Sequence, residues 1–319
     1  MSLPYYDADA VLAALPFERA IRAIEEAVRD DVDPELDGPR LFAPVPDGEF
    51  LLMPAQSAKY SGLKALTLAP NNPARGLEKI QGVYVLYSSD TLAPVALMEG
   101  SSLTAIRTPA VAISAVRLLA GAAAPGDELP ESPRVLVFGV GTQGRSSILA
   151  ARAAFPAARF EVVGRRPERI RQLRDDLAAE GIDIAHRQDV DAAVSEADII
   201  ICATTASTPL FDGSLVKPGA IVAAIGTHGH DARELDDALV SRADIVVEGR
   251  DSAERENGNL HTCFDEADWR ERPPANIRDL VRGEVVRRAG HPAVYTGVGM
   301  SWEDLVCAIV VFEEGTPSQ

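Results

Sequence analysis

Between residues 7 and 30 apolar side chains recur at three- and four-residue spacing, with Val11, Leu12, Leu15, Ile21, Ile24 and Val28 as the candidate core stripe. Pro16 interrupts the run, so the pattern predicts two helices. From Leu41 to Glu99 the period changes. Short runs (FLLMPA, LKALTLA, GVYVLYS, APVALME) are separated by Gly, Pro, Asn and Asp, the mark of a strand-rich unit. A long helix is expected over Leu103 to Leu119, and the stretch Gly121 to Pro133 (GAAAPGDELPESP) reads as a connector. Beyond it apolar runs at 134–139, 160–163, 198–203, 220–225 and 245–248 alternate with helical segments, among them 143–155 and 167–180. Residues 301–312 form a last helical pattern. No internal repeat and no low-complexity segment is visible.

The run Arg134 to Gly144, RVLVFGVGTQG, carries the most specific chemistry. A buried-type strand leads into Gly139-x-Gly141-x-x-Gly144, a breaker-free helix follows, and a second strand comes at Phe160 to Val163. A glycine triplet alone is weak, but in this strand–turn–helix–strand frame it points to a dinucleotide. Gly139 allows the tight turn, Gly141 the approach of the pyrophosphate, and Gly144 close packing of helix on strand. Thr142 and Gln143 open the helix, whose free N–H groups suit phosphate. Where an NAD site usually has an acid, this chain has Arg165 and Arg166, which suits a 2′-phosphate. NADP(H) is therefore the expected cofactor, with NAD(H) as the alternative. The crossover rule places helices on both faces of a parallel sheet. Ala203-Thr204-Thr205 and Gly226-Thr227-His228, at strand carboxyl ends, should border the ligand. The expected fold is α/β: a Rossmann-type doubly wound parallel sheet plus a strand-rich α+β substrate and dimerisation domain.

Composition narrows the partners. A net charge of −17 on 319 residues argues against nucleic acid and anionic membrane surfaces. Cys202, Cys263 and Cys307 are scattered and odd in number, which suggests neither a disulfide framework nor a zinc site. The segment His228-Gly229-His230-Asp231 has the spacing of a partial metal site, but neither His261 nor Cys263 belongs to a recognisable second half, so no metal is expected. His186 and His291 form no pattern either. No bilayer-length apolar run and no signal peptide is evident, so a cytoplasmic location is the default expectation.

Several segments together carry a family resemblance. GPRLFAPVP around Arg40, LMPA at 52–55, GLK at 62–64, LTAIRTPA at 103–110, CATTASTPLF at 202–211, KPGAIVAAIG ending at Gly226, RELDD at 233–237 and GVGMSWEDLV at 297–306 resemble the ornithine cyclodeaminase and μ-crystallin family over nearly the whole chain. The resemblance implies a homodimer. Residues 1–120, completed by the C-terminal helix at 294–319, would form the substrate and dimerisation domain, and 121–293 the dinucleotide domain across a cleft. It implies a small imino or amino acid substrate held by Arg40, Lys64 and Arg107. Thr108, Val298 and Gly299 join Ala203, Thr204 and Gly226 in the expected cofactor set.

Physical chemistry supports the three basic residues separately. Arg107 interrupts an otherwise apolar helix, where a long cation needs an anion to meet. Lys64 lies in a strand-like run with few polar groups, in a chain whose only lysines are Lys59, Lys64, Lys79 and Lys217. An internal ion pair is the competing explanation for each. Arg40 could also be a solvated loop charge. Where cyclodeaminases carry an Asp after the fourth strand, this chain has His228, a candidate proton source. The combined expectation is an NADPH-dependent reductase of cyclic imino acids, Δ1-pyrroline-2-carboxylate to proline or Δ1-piperideine-2-carboxylate to pipecolate. Ornithine cyclodeaminase, an alanine-type dehydrogenase and a non-catalytic crystallin-like binding protein are the alternatives.

Overall fold

The computed structural model describes residues 3–318. The chain divides into two units, Met1–Thr108 with Met300–Gln319, and Pro109–Gly299. The division falls inside a helix, earlier than the Gly121 connector that composition suggested. Pro109 is an internal helix residue here, so the change of unit leaves no proline- or glycine-rich linker to read.

The first unit begins with strand β1 (Tyr5–Tyr6), helices α1 (Ala8–Ala14) and α2 (Phe17–Asp30), and strands β2 (Leu41–Val45), β3 (Gly48–Gln56), β4 (Tyr60–Leu68), β5 (Ile80–Ser88) and β6 (Pro94–Glu99). Helix α3 (Gly100–Gly121) carries the chain into the second unit. The strands form one sheet ordered β1-β6-β5-β4-β3-β2, antiparallel except for the short β1–β6 pair. Alternation along β3 to β5 turns Leu51, Met53, Lys64, Leu66, Tyr84 and Leu86 to the buried side. Asp7 caps α1 through its side chain, and Pro16 separates α1 from α2. Of the predicted stripe, Leu12 alone is outside the core, at 51% exposure, because α1 is too short to bury more than one face.

The second unit holds β7 (Arg134–Phe138), α4 (Thr142–Ala154), β8 (Arg159–Val163), α5 (Pro167–Ala178), β9 (Ile184–His186), α6 (Val190–Glu196), β10 (Ile199–Cys202), β11 (Ile221–Ala224), α7 (Asp237–Val240), β12 (Asp244–Val247), α8 (Arg250–Glu256), α9 (Glu266–Glu271), β13 (Ala275–Asn276), α10 (Ile277–Val281) and β14 (Ala293–Thr296). Its sheet is wholly parallel, in the order β13-β12-β14-β11-β10-β7-β8-β9. This is the doubly wound arrangement, and strand order reverses between β7 and β10. The central strands are fully buried: Val135 to Val137, Ile199 to Cys202 and Ile221 to Ala223 all have no exposed surface. Strands β9, β13 and β14 are additions to the expected set. The last helix, α11 (Ser301–Glu314), returns to the first unit and packs on β3, β4 and α2.

Helix α3 corrects one expectation. It is long and apolar enough to cross a bilayer by length and composition, although no such run was read from the sequence. Most of that window is buried inside the protein, which is how the core helix of a folded domain behaves.

Candidate functional site

The glycine turn has the stereochemistry of a phosphate cradle. Gly139 adopts φ 113°, and a Cβ there would lie 2.4 Å from the Ala203 carbonyl oxygen. A Cβ on Gly144 would lie 2.1 Å from the Gly139 oxygen, so α4 can approach β7 only with glycine at that position. Around Gly141 a Cβ would meet nothing within 4 Å. That space is open where an anion would approach. Gly141 is also the N-cap of α4 and offers no side-chain acceptor, and Thr142 and Gln143 follow it. The N-cap thus supplies no capping side chain, and a helix start of this kind suits a pyrophosphate. Arg165 and Arg166 stand exposed just after β8, with Arg166 at the N-cap of α5.

The strand ends bring together residues that sequence reasoning placed near the cofactor and several that it missed. Ala203 N donates to Phe138 O at 2.9 Å, continuing the β10–β7 pairing. Thr204 is held by the buried Glu234, which accepts from Thr204 N at 2.7 Å and Thr204 Oγ1 at 2.8 Å. The same carboxylate accepts from Gly226 N at 2.8 Å. Burial raises the Glu234 pKa above the ordinary carboxylate range, and the Thr204 and Gly226 donors partly oppose that. Glu248 plays a parallel part beyond β12. It accepts from Val298 N at 2.9 Å, Gly299 N at 2.8 Å and Tyr295 OH at 3.1 Å. Asn259 links the two regions, accepting from Glu234 N and donating to Thr296 Oγ1. Asn257 donates to the same Thr296 oxygen. Within RELDD, only the match of the segment could have drawn attention to Glu234.

His228 is exposed on the loop after β11. Its neighbour His230 stacks on His261 with ring centroids 3.9 Å apart, and no group of three or more metal-binding side chains occurs among the described residues.

In the first unit, Lys64 lies on the inner face of β4, in register with Tyr84 of β5 and Met53 of β3. It is 1% exposed. Its Nζ is 2.7 Å from Asp304 Oδ2 and donates at 3.4 Å to Thr104 Oγ1. Arg107 of α3 is also buried; its Nη1 donates to Glu303 Oε2 at 2.8 Å and its Nε to Asp304 Oδ1 at 3.2 Å. Glu303 and Asp304 occupy the first turn of α11, where the helix dipole favours anions. The internal ion pair that competed with a substrate role for Lys64 and Arg107 is thus present: each meets a carboxylate of α11, because cations removed from water need compensation. Burial, then the Arg107 charge, pushes the Lys64 pKa down to about 8 against the pull of Asp304. Arg40, half-buried just before β2, contributes a further lowering. The structure thus gathers Arg40, Lys64 and Arg107 into one electrostatic cluster, with Thr108 the next residue of α3 after Arg107.

A family model for ornithine cyclodeaminase/mu-crystallin proteins matches residues 7–318. The chain belongs to that family. Among curated relatives of this family member, the Delta(1)-pyrroline-2-carboxylate reductase of Paracoccus denitrificans is 34% identical over 200 residues, covering 62% of this chain and 61% of that protein. Protein SAR DEFICIENT 4 of Arabidopsis thaliana is 30% identical over 275 residues, covering 82% of each. The solved structure of the Thermococcus litoralis Delta(1)-pyrroline-2-carboxylate reductase in complex with NADH and L-proline superposes with a TM-score of 0.83 at 24% identity, over 99% of this chain and 100% of that one. The ornithine cyclodeaminase/mu-crystallin fold is thereby matched along the full length.

Proposed function

We propose that this protein is an NADPH-dependent reductase of cyclic imino acids, acting on Δ1-pyrroline-2-carboxylate or its six-membered homologue. The observation that carries the reading is Lys64, a buried ammonium paired with Asp304, whose pKa burial and the Arg107 charge push down to about 8, with Arg40 adding to that lowering. The kinship with a curated Delta(1)-pyrroline-2-carboxylate reductase supports it. NADPH, when bound, supplies hydride. Arg40 and Arg107 hold the substrate carboxylate, fixing the ring plane. Lys64 holds a proton at Nζ for the imine nitrogen and is neutral once it has given it up, so it no longer opposes the iminium carbon's acceptance of hydride. Asp304 orients Lys64 and keeps it charged until then. This assigns to Lys64 the proton-donating part that the sequence offers to His228, which is exposed on the loop after β11.

Arg165 and Arg166 support the NADP preference, since two exposed guanidinium groups at the end of β8 suit a 2′-phosphate. A homodimer is part of the same proposal. The outward face of β2 to β5 is apolar as well, with Leu41, Phe50 and Val83 at 53%, 40% and 38% exposure. A sheet apolar on both faces needs a cover on each, and a second copy of this chain supplies one. The test of function compares NADPH oxidation by the five- and six-membered cyclic imino acids with ammonia release from ornithine plus NAD⁺. Oxidation without ammonia is expected; ammonia with proline would make the protein a cyclodeaminase instead.

A further inference from the structure

The strand-end loops of the second unit spend their backbone donors on the protein itself. Thr204 N and Gly226 N donate to Glu234, and Val298 N and Gly299 N donate to Glu248. Glu234 has no exposed surface and Glu248 has 2%. Neither carboxylate forms an ion pair among the described residues. Arg233, next to Glu234 in the chain, directs its Nη2 to Asp237 at 2.6 Å.

The placement of these two anions relative to the cofactor follows from topology. Strand order reverses between β7 and β10, so a dinucleotide would lie across the carboxyl ends there with its pyrophosphate at α4. With Arg165 and Arg166 on the β8 side taking the adenosine half, the nicotinamide half falls to the side of β10, β11 and β14. That assignment rests on the proposed cofactor reading. The loops on this side, their N–H groups already used, do not offer those donors to an anion. What they carry is two buried carboxylates held by backbone and side-chain hydrogen bonds and matched by no ion pair among the described residues.

We propose that Glu234 and Glu248 set the redox bias of the bound nicotinamide, favouring its oxidised, cationic ring over the neutral reduced ring and so promoting hydride donation. A bound reduced nicotinamide would supply hydride with both bonding electrons to the imine carbon and would keep one positive charge, which Glu234 and Glu248 would stabilise. A negative potential from the loops at these strand ends would lower the free energy of that oxidised form. Pinning the loops alone would affect both cofactor forms alike, whereas charge acts on the difference between them.

The experiment is to measure Kd for NADP⁺ and for NADPH separately, by titration calorimetry or cofactor fluorescence, in the wild-type protein, Glu234→Gln and Glu248→Gln. Wild type is expected to bind NADP⁺ more tightly than NADPH. Each substitution, which keeps shape and removes charge, should raise the ratio of Kd for NADP⁺ to Kd for NADPH by about tenfold. A ratio unchanged in the folded variants, with both constants rising together, would reduce the two glutamates to structural props and overturn the proposal. Should a variant fail to fold, tighter binding of NADPH than NADP⁺ by the wild-type protein overturns it equally. If wild type binds neither dinucleotide, the cofactor reading itself fails, and the redox proposal falls with it.

Discussion

Lys64 concentrates the chemistry because three effects act on one ammonium: burial and the Arg107 charge lower its pKa, and Asp304 raises it. The sign of the resulting pH dependence follows directly. Below about 8 the group is protonated and can donate; above it the proton is lost and imine reduction should fall, so kcat/KM has an alkaline limb near 8. Asp304→Asn removes a raising influence, so steady-state rates across pH should show that limb displaced to lower pH. Lys64→Met should cost about 10²–10⁴-fold in kcat, whereas His228→Ala, in an exposed loop, should keep most of the rate. The reverse ranking would return the proton to His228. The counter-ions of Lys64 and Arg107 were not legible in advance, since Glu303 stands 196 residues from Arg107 and nothing local announces a pairing across such a separation. Two acids ahead of the apolar middle of the terminal helix were the only hint.

The βαβ unit holding the glycine turn was legible because its glycine spacing is local: Gly144 answers the Gly139 oxygen, Gly139 the end of the neighbouring β10, and Gly141 leaves open space. Two substitutions separate fold from ligand. Gly144→Ala drives a Cβ to 2.1 Å from the Gly139 oxygen, and thermal or denaturant unfolding should show a loss of about 1–3 kcal/mol. Gly141→Ala enters open space at φ −95°, so stability should hold while dinucleotide affinity falls by titration. At the end of β8, Arg165→Ala should raise KM for NADPH several-fold and leave KM for NADH unchanged; an equal effect on both would leave Arg165 a surface charge. Strand β14 escaped the sequence reading for a different reason. Its four residues, Ala293 to Thr296 (AVYT), lack the aliphatic run that marks the equally short β10 (IIIC), yet they lie between β11 and β12 in the sheet. Only the assembled topology identifies them as central. Strands β9 and β13, at three and two residues, are shorter still.

At the scale of the molecule, short apolar runs predicted the strands β2 to β5 but do not say what meets their outward face, for which a second copy of the chain is the proposed cover. Leu63 and Leu52 stand on that face with Phe50. Light scattering after size exclusion should give a dimer for the wild-type protein and a monomer for the Phe50→Asp, Leu63→Asp double variant; a wild-type monomer would remove the second copy from the account. The dinucleotide cradle, the buried Lys64 and the family kinship converge on net reduction of a cyclic imine. The most direct measurement follows the fate of label from NADPH carrying deuterium at C4 on the transferred face, with Δ1-pyrroline-2-carboxylate as acceptor. One equivalent of cofactor oxidised per proline formed, with deuterium on the α-carbon, is the predicted result. Proline formed from ornithine with release of ammonia and no net change in cofactor, and no label transfer to the cyclic imine, would contradict it.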